Sequence, residues 1–252
     1  MYPLIPWKWV GGGLTLVTIL AVYADDAARL IGLPISDHLV VRYLPLGLLL
    51  ILGGFFGPTS YWAPWRILWR KIPMLNDWFP DLNGVWVGHT SSNWPTVKKL
   101  VEAAQSDDKT TEQELHNLAE QRDAIAVRFT NSVFKLQVRA GLSSTEGESI
   151  SITAKPWRDQ HTGRIHLSYV YRQQTPNHAI TDEETHLGAA DLELIDEDYR
   201  RAAGTYWTKR AWRTGRNTAG LLELYRLTNN ADRKKSLQTY VREHMNVLAQ
   251  GG

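Results

Sequence analysis

The chain has 252 residues, 43% hydrophobic and 21% charged. Setting aside a strongly apolar beginning leaves roughly 180 residues, enough for one sizeable core. A formal charge of +2 is too small for a surface that coats a nucleic-acid polymer, and zero cysteines excludes disulfides, thiolate catalysis and cysteine-ligated metal centres.

Two apolar runs open the chain. The first is Val10 to Ala24, preceded by Trp7 and Trp9; the second is Tyr43 to Tyr61, which carries no charge. A helix needs about 20 apolar residues to cross the hydrocarbon layer. The second run meets this, and the first does so if its tryptophans count as interfacial ends. A cleaved signal peptide is the competing reading of the first run, disfavoured by Asp25-Asp26 and by the second span that follows. Trp62, Trp65 and Trp69 beyond the second run are expected at the headgroup level, where amphipathic rings prefer to lie. Arg66, Arg70 and Lys71 make that exit basic, which predicts a two-pass inner-membrane protein with both termini cytoplasmic, in contact with membrane lipids. Glycines at 11–13, 47, 53 and 54 would allow close helix approach, although glycine is also simply common in membrane helices. Two helices cannot enclose a pore, so any membrane activity requires several copies. The expected division is 1–71 for the membrane region and 72–252 for a cytosolic domain.

After Pro73 the hydrophobic period changes to two. Asn83–Ser91 reads as a first strand; a polar stretch from Thr96 to Gln121 follows, with a capping-box signal at Thr111 and Glu114. Seven further strands are predicted at Ala124–Asn131, Phe134–Ala140, Ser149–Trp157, Arg164–Gln173, Glu184–Ile195, Gly204–Arg213 and Ala219–Leu227. Ala140-Gly141, Asp159 to Gly163, Pro176-Asn177 and Gly215 to Asn217 read as turns. Eight sequential strands on short links favour an eight-stranded up-and-down, lipocalin-like closed β-barrel, with a two-sheet sandwich as the alternative. Asp232–Ala249 reads as an amphipathic C-terminal helix whose stripe is Leu237, Tyr240, Val241, Met245 and Leu248, expected to pack on the barrel. The fold class is therefore two N-terminal transmembrane helices plus an all-β domain.

Catalytic and metal motifs are missing: there is no Gly-x-Ser-x-Gly, no His-Glu-x-x-His and no phosphate-cradling glycine loop. His161, His166, His178 and His186 lack metal-ligand spacing and read as surface or wall residues. No enzyme activity, cofactor or metal is expected. A binding signal is present. Tyr206, Thr208, Arg210 and Trp212 share one strand face, with Thr218 close in sequence; Tyr169, Tyr171 and Gln173 share another, and Arg172 points the opposite way. Such a lining suits a flat anionic ligand, because bases stack on aromatic rings and arginine forks onto phosphate oxygens. Alternation alone does not say which face is inward. A membrane-tethered carrier of a small apolar ligand is the alternative.

Asp81-Leu82-Asn83-Gly84-Val85-Trp86-Val87-Gly88, Gly204-Thr205-Tyr206-Trp207-Thr208, Trp212 and Gly215 to Gly220 resemble the two-transmembrane β-barrel effectors of bacterial CBASS anti-phage systems, which are associated with CD-NTase enzymes. The resemblance implies that the cytosolic barrel binds a cyclic dinucleotide second messenger. Binding would promote self-association, after which the clustered helices would disrupt the inner membrane and kill the infected cell. The expected ligand-binding residues are Tyr169, Tyr171, Arg172, Tyr206, Thr208, Arg210, Trp212 and Thr218.

Overall fold

The structure is a computed structural model that describes residues 11–13, 15–19, 22–23, 37–106, 109–145, 147–176, 184–195, 198–230 and 235–250. The chain forms two compact units, residues 1–81 with 132–135, and residues 82–131 with 136–252.

In the first unit, residues 11–13, 15–19 and 22–23 are helical; the rest of the expected first span, with Trp7, Trp9 and the loop acids Asp25 and Asp26, lies outside the described residues. Helix α1 (Asp37–Phe56) covers most of the expected second span. It stops short of Tyr61: Gly57 N closes the last turn on Gly53 O at 2.9 Å, and Pro58 cannot continue it. Among the described residues no helix is long and apolar enough to cross a membrane. Large aliphatic side chains of α1 such as Leu49, Leu50 and Ile51 are nonetheless about two-thirds exposed.

Helix α2 (Pro64–Lys71) corrects the headgroup expectation for two tryptophans. Trp65 and Trp69 are four residues apart, share one helical face and are buried with Phe79, the three rings lying 4.7–5.8 Å from one another. Their indole N–H groups donate to Pro58 O (2.7 Å) and Phe79 O (2.9 Å). The polar edge of each ring is thus met by the backbone, and neither needs an interface. Trp62 alone of the three is exposed. Arg66 is buried in an ion pair, its Nε 2.8 Å from Asp81 Oδ2, whereas Arg70 and Lys71 remain exposed.

The second unit is a closed antiparallel barrel of β1 (Gly84–Ser92), β2 (Gln121–Asn131), β3 (Leu136–Leu142), β4 (Glu148–Arg158), β5 (Ile165–Gln174), β6 (Thr185–Leu194), β7 (Arg201–Lys209) and β8 (Ala219–Thr228), each paired with the next and β8 with β1. The sandwich alternative fails because β1 and β8 pair from Ser92 and Gly220 to Val85 and Thr228, leaving no edge. Between β1 and β2 lie α3 (Trp94–Gln105), a helix that the reading of a polar stretch missed although Asn93 at its N-cap, Pro95 in its first turn and the spacing of Val97, Leu100 and Val101 mark it, and α4 (Glu112–His116). The capping box forms as expected: Glu114 N donates to Thr111 Oγ1, and Thr111 N to Glu114 Oε2.

Ala140-Gly141 is strand, not turn: β3 runs on to Leu142, and β4 opens at Glu148. The reason for a glycine there is α5 (Leu237–Gln250): a Cβ at residue 141 would stand 3.3 Å from Leu237 Cβ and 3.2 Å from Gln238 Nε2. Leu237, Tyr240 and Val241 of α5 pack on Val85, Val87, Ala124 and Ala126, the outer faces of β1 and β2. That cover explains why β1 is apolar or buried on both faces instead of alternating. Met245 is exposed, and the Leu248 side chain lies outside the described ones.

Candidate ligand-binding cavity

Period two assigns the inner face of the barrel. From the end where β1 begins, Trp86, Phe129, Ile165, Leu167, Leu192 and Leu224 point inward and are almost wholly buried. The Trp86 and Phe129 rings meet edge-on at 5.4 Å, and the Trp86 indole donates to Leu82 O at 3.1 Å. Arg226, whose Nη2 donates to Asn83 O at 2.6 Å, lies 5.7 Å from the Trp86 ring. This half of the barrel is a filled core.

Toward the other end, where β1, β3, β5 and β7 finish, the same inner phase turns polar and encloses a cavity of about 430 Å³. Six of the eight expected residues line it: Tyr169, Tyr171, Tyr206, Thr208, Arg210 and Thr218. Two do not. Arg172 is one step out of phase with Tyr171 and is exposed on the outer face. Strand alternation predicts that Trp212 continues the Tyr206 face, but β7 ends at Lys209, Ala211 turns left-handed (φ 41°), and Trp212 opens an exposed 3-10 turn through Thr214.

The tyrosines are set by their neighbours. The Tyr169 and Tyr171 ring centroids are 5.9 Å apart, tilted by 44°. Tyr171 extends over Gly188 of the adjacent strand, where a Cβ would lie 2.3 Å from its Cζ. Burial pushes the hydroxyls of both rings far above the ordinary tyrosine range, with each neighbouring phenol adding to the effect and Arg210 opposing it at Tyr171. Tyr206 is also raised, chiefly by burial with the Asp123 charge adding to it, although hydrogen bonds to Ser92 and Thr90 and the Arg210 charge pull the other way. All three therefore stay neutral donors at physiological pH.

Thr208 and Thr218 join β7 to β8: their Oγ1 atoms are 2.8 Å apart and Thr208 N donates to Thr218 O at 2.8 Å. Arg210 lies one residue beyond β7, and its backbone N donates to Asn217 Oδ1 at 3.1 Å, which anchors its main chain. The electrostatic contact of Arg210 with Tyr171 places its charge at the cavity.

Further lining residues carry no sequence signal of their own: Thr90 and Ser92 on β1, Trp94 at the start of α3, Gln121 and Asp123 on β2, and Thr175 and His186 beside β5 and β6. Thr90 and Ser92 are in phase with inward Trp86, a signal available once that ring's direction is known. Gln173 shares the Tyr169–Tyr171 face and points in with them. Gln173 and Thr175 are each 4% exposed, and Gln173 Nε2 and Thr175 Oγ1 have no hydrogen-bond partner among the described residues. Buried polar atoms without partners are costly unless something else satisfies them.

On the outer face, Ser168 Oγ and His166 Nδ1 both reach Asp191, at 2.5 and 3.2 Å. The hydroxyl bonds the carboxylate rather than the imidazole, and His166 stacks on Trp157 at 4.4 Å. His166 is thus a wall residue within a polar network. Among the described residues no group of three or more acids or histidines could hold a metal ion.

The family profile described as Cap15, cyclic dinucleotide receptor domain, matches residues 78–226, which contain all eight strands as far as Arg226 of β8. CD-NTase-associated protein 15 of Escherichia albertii is 26% identical to this chain over 227 residues, covering 89% of this chain and 97% of that relative.

Proposed function

The chain belongs to the Cap15 cyclic dinucleotide receptor domain family, and from that premise we propose that its barrel cavity binds a cyclic dinucleotide as the sensor of a CBASS anti-phage effector. The observation that carries the reading is the polar-aromatic half of the barrel interior. Tyr169, Tyr171 and Tyr206 offer ring faces and neutral hydroxyls to bases and ribose, Thr208 and Thr218 offer further hydroxyls, and Arg210 offers a fork to a phosphate. The cavity of about 430 Å³ lies within the range of small-molecule sites. An apolar ligand would leave Gln173 Nε2 and Thr175 Oγ1 unsatisfied and would lie against the Asp123 carboxyl, which disfavours a lipid carrier.

Output follows from linkage. A ligand drives assembly only by binding the assembled form more tightly, with about 1.4 kcal/mol of difference for each factor of ten. In this proposal the bound chain self-associates at the inner membrane, both termini cytoplasmic, and the clustered N-terminal helices disrupt the bilayer. Support for the membrane role comes from the uncharged stretch from Tyr43 to Phe56 and its exposed aliphatic side chains. The test is addition of a cyclic dinucleotide panel to the full-length chain in detergent. A rise in thermal stability together with larger oligomers is expected, and neither change with any ring would end the proposal.

A further inference from the structure

Resting on the receptor reading above, we infer that Asp123 selects the base of the ligand and that the preferred ring contains guanine. Charge is unevenly distributed around the cavity. Among the described residues, Asp123 is the acid that lines the cavity, Arg210 the strong base, and His186 the imidazole. They sit on different walls. Gln173 pairs with His186 across β5 and β6, and Arg210 follows Lys209, which pairs with Leu187 next to His186. The β5–β6–β7 rim is therefore rich in donors, including Gln173 Nε2 and Thr175 Oγ1, which have no partner among the described residues. Donors around a guanidinium are what phosphate oxygens require.

Asp123 faces the cavity from β2, separated from β5 by β3 and β4 on one side of the ring and by four strands on the other. Thr90 is its direct partner on β1. A carboxylate accepts and never donates, so it repels a phosphate and needs N–H groups from the ligand. Gln121 Nε2 donates to Asp123 Oδ2 at 2.8 Å, which orients the carboxylate and leaves lone pairs on both oxygens for further donors. Guanine alone of the four common bases presents two adjacent N–H donors on its Watson–Crick edge. Adenine, cytosine and uracil each set an acceptor beside their donor, and that acceptor would face a carboxylate oxygen. A ring with its phosphate at Arg210 and a guanine edge at Asp123 satisfies both walls.

Calorimetric titration of the full-length chain in detergent with cyclic di-GMP, cyclic di-AMP and the mixed cyclic GMP–AMP ring tests this. Guanine-containing rings are expected to bind at least about tenfold more tightly than cyclic di-AMP, the scale of one bidentate base contact. Asp123→Asn, which offers one acceptor and one donor, should lose that preference and hold cyclic di-AMP at least as well as cyclic di-GMP. Thermal unfolding without ligand checks that the variant folds; if it does not, the wild-type ranking alone decides. Equal binding of all rings, tighter binding of cyclic di-AMP, or an unchanged preference in a folded Asp123→Asn overturns the inference and leaves the receptor reading standing. No binding by any ring overturns both.

Discussion

Tyr171 lies over the backbone of Gly188, so that a Cβ on residue 188 would come within 2.3 Å of the Tyr171 Cζ and 2.4 Å of its hydroxyl. One ring of the cavity therefore depends on the missing side chain of the next strand. Because the obstruction is the far end of a side chain and not backbone, the ring can swing away. Gly188→Ala should cost stability only modestly, about 1–3 kcal/mol as for other overpacked sites. It should weaken ligand binding by roughly tenfold through loss of one stacking surface. Calorimetry below the variant's own melting temperature separates the two effects.

A second expectation concerns the first unit. Arg66 is 3% exposed and its Nε is 2.8 Å from Asp81. Asp81→Asn removes the negative charge facing this buried guanidinium and should destabilise the unit by about 3–5 kcal/mol. A denaturant titration followed by tryptophan fluorescence, to which Trp65 and Trp69 on the same helix contribute, checks it. A midpoint unchanged from wild type would mean the ion pair is dispensable.

Helix α5 is predicted to be part of the folded barrel and not an appendage. Leu237 is 1% exposed against Val85, Val87, Ala124 and Ala126. Leu237→Ala should lower stability by about 2–5 kcal/mol, the range for a large-to-small change in a packed core. Thermal unfolding followed by circular dichroism would show the strands and the helix losing stability together.

The tyrosine shifts predict an alkaline signature. Tyr169, Tyr171 and Tyr206 have folded-state values raised above the ordinary value of about 10, mainly by burial. Below that pH the phenols are neutral in both states and their contribution is fully present. As pH rises beyond it the unfolded chain ionises first, so stability falls with rising pH. Ultraviolet titration should show these tyrosines ionising after the exposed ones, and Tyr169→Phe should remove one late-titrating group.

Much of this fold is legible in the chain because β-strands write their burial in alternation. All eight strands fall within a few residues of their expected places, and Thr111 with Glu114 announces the α4 cap. The misreadings have physical causes. Gly141 looks like a turn because its true neighbour, Leu237 of α5, is about a hundred residues away and leaves no local trace. Trp65 and Trp69 look interfacial because their partners, Phe79 and two backbone carbonyls, are contributed by the folded chain. Arg172 shares a strand with Tyr171 but not its face, and Trp212 leaves the face because Ala211 bends left-handed. Asp123 is invisible in the sequence because inward and outward are equivalent until the barrel closes and α5 covers one side.

The most direct test of the account compares the inner and outer faces of the same strands. Calorimetric titration of a cyclic dinucleotide into the full-length chain in detergent should show saturable binding. Arg210→Ala should weaken it by about tenfold or more, as expected for loss of a charged hydrogen-bonding partner. Arg172→Ala and Trp212→Ala, whose side chains lie outside the cavity, should bind as wild type does. Undiminished binding in Arg210→Ala, or loss confined to the outer-face variants, would contradict the claim that the barrel interior is the sensor.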